Sequence, residues 1–230
     1  MDNGFDFNAI STDMLSLGLG ALAHANYHSG YTTDTNDKWA ELSVIQAAHA
    51  AELLVKARIT KEHPLLIFSD LPSVSNQDTL SIDKLAEDGR TIEWSDLPKV
   101  FKTITNCNFK NADIFRSFGR LRNSVQHFGI IPNRTTTSAS LETLRFIYSF
   151  IDPFINEHWG KYAIDFDEDM NSYENLPNTL IRYEIRFLVS PEAAEYSEYW
   201  MDELDYTSSE YQHIMKSRIQ NALNGGETNE

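Results

Sequence analysis

KWAELSVIQAAHAAELLVKARITKE, residues 38–62, is rich in Ala and Leu, residues that favour a helix. It contains neither Gly nor Pro. Glu52 stands four residues before Lys56, the order in which an ion pair supports a helix. Ala47, Ala48, Ala50 and Ala51 form a small-residue surface that lets a neighbouring helix come close, and Leu53 and Leu54 add apolar bulk. Pro64 ends the pattern, because proline cannot continue a helix interior. The run after it, Leu65-Leu66-Ile67-Phe68, is too short to separate helix from strand.

Moving back from this stretch, Ile10 to His28 forms a first amphipathic helix, set off by the polar break Ser29 to Asp37 with its Gly30. Moving forward, a polar loop is expected from Leu71 to about Glu93. Ser95 then serves as N-cap, with Asp96 in the first turn, for a helix through Ile104. A helix over Asn111 to Phe128 has Gly129 at its C′ position and Pro132 beyond. Periodicity resumes over Ser140 to Phe150 and restarts at Asp152-Pro153 to carry Phe154, Ile155 and Trp159. Ile181 to Phe187 alternates apolar and charged residues, a strand pattern expected to pair with Tyr162 to Phe166 in a small hairpin. Glu192 to Leu204 and Ser208 to Leu223 read as helices, with Asn224 to Glu230 fraying. The expectation is a mostly α protein: a helical bundle over 1–159, and an acidic, largely α extension over 160–230 that packs on the bundle or meets a partner.

The 230 residues suffice for a substantial core without staples. The single Cys107 excludes an intramolecular disulfide and has no assignable catalytic partner. The acidic start Met1-Asp2-Asn3-Gly4 lacks the cationic and apolar regions of a secretory signal, and no apolar run approaches the roughly 20 residues that cross a bilayer. A cytoplasmic protein without membrane contact is expected.

The net charge of −15 argues against nucleic acid as a partner, but the average misleads. From Lys99 to Arg134 there are seven bases (Lys99, Lys102, Lys110, Arg116, Arg120, Arg122, Arg134) against Asp113 alone. From Lys161 to Glu210 thirteen acids face three bases. A basic stretch on an acidic protein can gather a polyanion at one patch, although a solvated helix face carries the same excess without any partner.

That basic stretch contains Arg122-Asn123-Ser124-Val125-Gln126-His127. At about 100° per residue, Ile114, Phe118, Leu121, Val125 and Phe128 fall within an arc of about 80°, the stripe an amphipathic helix buries. Asn123 points away from that stripe, with Arg116, Arg120 and His127 within about 60° of it. Arginine is a planar fork suited to phosphate oxygens, and histidine moves protons near neutrality. An exposed Arg and His on a polar face are also ordinary solubility residues.

With the motif and the Ala/Leu-rich helix in view, the chain resembles the HEPN superfamily of small α-helical proteins. Its signature is Arg, four to six residues, then His, often with a polar residue after the Arg: here Arg122, Asn123 and His127. The stretch AAHAAELLVKARITKEHPLLIF, residues 47–68, is similar to the long helix of bacterial members. The likeness covers about Lys38 to Trp159. It implies a HEPN-like bundle, a homodimer with two motif helices meeting at the interface, and a metal-independent endoribonuclease that needs no cofactor. Arg122, His127 and Asn123 would be catalytic, and Arg116, Arg120 and Lys110 would bind RNA such as tRNA or mRNA. The family also implies a prokaryotic stress or phage-defence role and a regulatory or antitoxin partner. Toxin members often carry Tyr two residues after the His, whereas here His127 is followed by Phe128-Gly129.

Metal-free hydrolysis of RNA requires attack by the 2′-oxygen on the adjacent phosphorus, a base, an acid and charge stabilisation. Arg122 and His127 diverge by about 140° around the helix and about 7.5 Å along it, so one copy is an awkward cradle and two facing copies make a compact site. Asn123, about 40° from His127, could orient the imidazole. The alternative is a catalytically silent module that binds RNA, a nucleotide or a protein; a further reading is a structural dimer whose basic stripe meets acids. His24 and His28 have the i, i+4 spacing of metal ligands but no third ligand or intervening Glu, so no metal is expected. His49, Glu52 and Lys56 share a helix face, most simply as a charge set. Tyr196, Tyr199, Trp200, Tyr206 and Tyr211 lie among acids that repel phosphate, which favours packing over base stacking.

Overall fold

A computed structural model describes residues 7–31, 36, 38–73, 82–129 and 136–225 and shows a mostly helical protein. Residues 38–62 form α2, Trp39–Thr60, preceded by α1, Phe7–Gly30. Ala47, Ala48, Ala50, Ala51 and Ala57 are all buried, as the small-residue surface requires. Contacts divide the chain into two units: Met1–Gly18 with Glu52–Phe109, and Leu19–Ala51 with Lys110–Glu230. Helices α1 and α2 therefore each contribute a stretch to both. The division does not fall at residue 159; residues 160–225 share a unit with 110–159.

In the first unit, α1 meets α2 at Gly18. A Cβ there would stand 3.0 Å from Leu54 Cγ and 3.3 Å from Leu53 Cβ, a separation only a glycine tolerates without movement. Lys56 is buried with its Nζ 2.6 Å from Glu52 Oε1, the ion pair its spacing predicts, and also donates to Thr91 Oγ1 at 3.1 Å. The run after Pro64 splits into a 3₁₀ turn, Pro64–Ile67, and strand β1, Phe68–Asp70. Within the segment expected as loop stand α3, Ile82–Asp88, and β2, Arg90–Thr91, which pairs antiparallel with β1. The seven-residue α3 buries Leu85, too little apolar periodicity to be read from sequence. Helix α4, Leu97–Thr105, buries Leu97 and Phe101, and Asp96 rather than Ser95 holds its N-cap position.

The second unit holds α5, Ala112–Phe128; α6, Thr136–Phe146; and α7, Asp152–Trp159, joined to α6 by a π turn over Ile147–Ile151. Then come α8, Ser172–Arg182; α9, Pro191–Glu195; α10, Met201–Leu204; and α11, Ser209–Leu223, whose N-cap Ser208 accepts from Tyr211 N. Phe118 stacks on Phe146 at 3.8 Å between ring centroids, and Phe146 on Phe150 at 5.5 Å. The continuous helix expected over 192–204 is instead two short helices with a 3₁₀ turn at Ser197–Tyr199, a break that brings Trp200 into full burial.

The expected hairpin between Tyr162–Phe166 and Ile181–Phe187 does not form. Ala163–Asp165 is a 3₁₀ turn, and residues 181–182 finish α8. Side chains take the backbone groups that a ladder would use. Buried Asn26 Nδ2 donates to the carbonyls of Ala163 (3.1 Å) and Phe166 (2.7 Å). The Asp152 carboxylate accepts from Ala163 N at 2.8 Å and Leu188 N at 2.7 Å. Tyr211 Oη donates to Ile185 O at 2.8 Å and Arg218 Nη1 to Phe187 O at 2.5 Å. Ile185 and Phe187 are buried and Arg186 is exposed, so the alternation is observed without a partner strand.

Candidate functional site

Helix α5 carries the Arg-x4-His motif. It ends on Gly129, in the left-handed region at φ 62°, whose N–H donates to Val125 O at 2.8 Å. This is the predicted C′ glycine, and it places His127 in the last turn. Pro132 and Arg134 lie outside the described residues.

The buried face of α5 is rolled relative to the expected stripe. Phe118, Leu121 and Val125 are buried as read, but Ile114 is 38% exposed and Phe128 is 74% exposed. Phe115 and Gly119 are buried in their place. The buried arc runs from Leu121 through Val125 and Phe118 to Phe115 and Gly119, its centre displaced by about 60° from the predicted one. Phe115 causes the roll: its ring lies 5.0 Å from that of Phe150.

The roll separates the candidate residues. Arg122 falls within the buried arc and is half-buried; its Nη1 donates to Asn123 Oδ1 at 3.1 Å. His127, Asn123, Arg116 and Arg120 remain on the outer face, all exposed. Arg116 pairs with Asp113 at 3.1 Å, and Lys110, just before the helix, with Glu157 at 3.1 Å. The Phe128 ring lies edge-on to His127, centroids 6.4 Å apart, so an apolar surface flanks the imidazole at the helix end. The outer face can hold phosphates through Arg116 and Arg120 and present an imidazole to them. It does not bring Arg122 and His127 to one point within a single copy.

The other sequence candidates are engaged elsewhere. His28 Nδ1 meets Gln46 Oε1 at 2.7 Å, and His24 Nδ1 lies 2.8 Å from Glu168 Oε2. Trp200 and Tyr211 are core residues, while Tyr196, Tyr199 and Tyr206 are exposed. Sequence reasoning missed Asp152 as a hub. Fully buried, it binds two backbone N–H groups, and desolvation lifts its pKa to about 7 against those hydrogen bonds and the charge of Arg218. Only its place before Pro153 signalled it, and that signal pointed to a cap.

No family model matches the chain, and no curated protein and no solved structure matches it either.

Proposed function

We propose that this protein is a metal-independent endoribonuclease that works as a homodimer. The observation that carries the reading is the outer face of α5, where Arg116, Arg120, Asn123 and His127 are exposed along the helix and His127 stands beside Phe128, an apolar side chain left 74% open. Covering Phe128 with the same helix end of a second copy would bring two imidazoles close together. One His127 takes the 2′-hydroxyl proton as the 2′-oxygen attacks phosphorus; the other gives a proton to the departing 5′-oxygen. The products are a 2′,3′-cyclic phosphate and a 5′-hydroxyl end. Arg122, steadied by Asn123, supplies positive charge from the flank of the facing copy, and Arg116, Arg120 and Lys110 engage phosphates on either side. The resemblance to the HEPN superfamily adds to this proposal a cytoplasmic role in prokaryotic stress or phage defence, held in check by a regulatory protein.

One feature favours the alternative of a silent binding module: Arg122 is half-buried and turned away from His127 in the single copy. The test is incubation of the parent and His127→Ala with total RNA and tRNA in EDTA, with analysis of product ends. Cleavage by the parent alone, leaving cyclic phosphate, is expected. Binding of RNA without cleavage, lost on Arg122→Ala, would establish the silent module in its place.

A further inference from the structure

Helices α5 and α6, residues 148–153 and 183–188, and Arg218 line an open cavity of about 730 Å³ within the second unit. Sites for small organic ligands span roughly 300–1,000 Å³. Its apolar lining comes from Phe118, Leu121, Phe146, Ile185 and Leu188. Its cations are Arg145, Arg186 and Arg218.

These guanidinium groups are unequally satisfied. Arg218 is half-buried and donates one bond, to the Phe187 carbonyl, from a fork of five N–H donors. No described carboxylate lies within 4 Å of it. Burial lowers its pKa; the charge of Asp152 opposes this, and the nearby charge of Arg186 adds to it, so the two cations stand close enough to repel each other. Arg186 Nη2 pairs with Glu210 at 2.5 Å, but both side chains are solvent-exposed. An exposed pair is worth about 0–1 kcal/mol, so an incoming anion can displace it. Three acids line the cavity as well, two of them held by neutral donors. Both Glu184 oxygens accept from Ser208, through its N at 2.7 Å and its Oγ at 2.8 Å. Asp152 holds two backbone N–H groups, and Glu142 lies 3.9 Å from Arg145.

We infer that this cavity binds a small organic anion with an apolar body. A carboxylate or phosphate monoester head rests on Arg218 and Arg186, and the hydrocarbon or aromatic body lies against Phe118, Leu121 and Phe146. The site is separate from the His127 face and stands whether or not the protein cleaves RNA.

The probe is 8-anilinonaphthalene-1-sulfonate, titrated by fluorescence into the full chain. Saturable one-site binding is expected. Ser117→Trp, which fills the cavity from an exposed position, abolishes it. Arg186→Gln weakens it roughly tenfold, the scale of one lost charge-assisted hydrogen bond. Melting curves confirm that both variants fold. Decanoate and decyl phosphate compete and decanol does not, and the stronger competitor identifies the head group. Equal dye uptake by the parent and both variants, or displacement by decanol as effective as by decanoate, overturns the inference.

Discussion

Asp152 Oδ2 accepts the backbone N–H of Leu188 at 2.7 Å, across 36 residues of sequence, from a side chain with no solvent exposure. Because burial raises this carboxyl from 3.8 to about 7, the folded chain holds a proton there that the unfolded chain releases. Between those two values the folded state binds more protons, so the contribution of Asp152 to stability falls as pH rises toward 7 and is constant above it. Urea unfolding of the parent at intervals from pH 5 to 8 should show this decline. Asp152→Asn should remove it, at a cost of about 1–3 kcal/mol because the amide nitrogen faces a donor. The same slope in parent and variant would exclude Asp152 as its source.

Glu52 and Lys56 form a nearly buried pair, and removing one member should hurt more than removing both. Glu52→Ala strands a buried ammonium and is expected to cost about 3–5 kcal/mol, whereas Glu52→Leu with Lys56→Met should cost less. Chemical denaturation of the three proteins decides it. A double variant at least as unstable as Glu52→Ala contradicts the expectation.

Gly129 has open space around the position of a Cβ but a φ of 62°. Gly129→Ala should therefore lose about 1 kcal/mol through backbone strain alone, and Gly129→Asn less, since Asn tolerates this region better. Melting temperatures should fall in that order; an unchanged Gly129→Ala would mean that the helix end rearranges at no cost.

Phe128 is the readout for assembly. Phe128→Asp should leave thermal stability within about 0.5 kcal/mol, as for other surface changes, while weakening self-association in sedimentation velocity. A parent that is monomeric at all concentrations would remove the paired-helix arrangement.

The sequence carried α2 and the ends of α5 because their signals are local: helix formers without breakers in one case, and a glycine at the C′ position in the other. The roll of α5 was not legible. Phe115 owes its burial to Phe150, a ring on a distant segment, and Gly119 has no side chain to mark its face. The error matters at the candidate site, since it moves Arg122 into the buried arc while His127 stays outside. The alternation over 185–187 correctly marked what is buried and what is not. It could not say that Asp152, Tyr211 and Arg218 replace a neighbouring strand, because those partners lie 26 to 36 residues away.

That replacement sets an order of events during synthesis. Asp152 leaves the ribosome before residues 185–188, but Tyr211 and Arg218 leave after them. A nascent chain ending before α11 therefore lacks the donors that the carbonyls of Ile185 and Phe187 meet in the folded chain, although Phe187 already has Tyr148 and Trp200 to pack against. Until α11 is made, these two carbonyls are left to water for their hydrogen bonds.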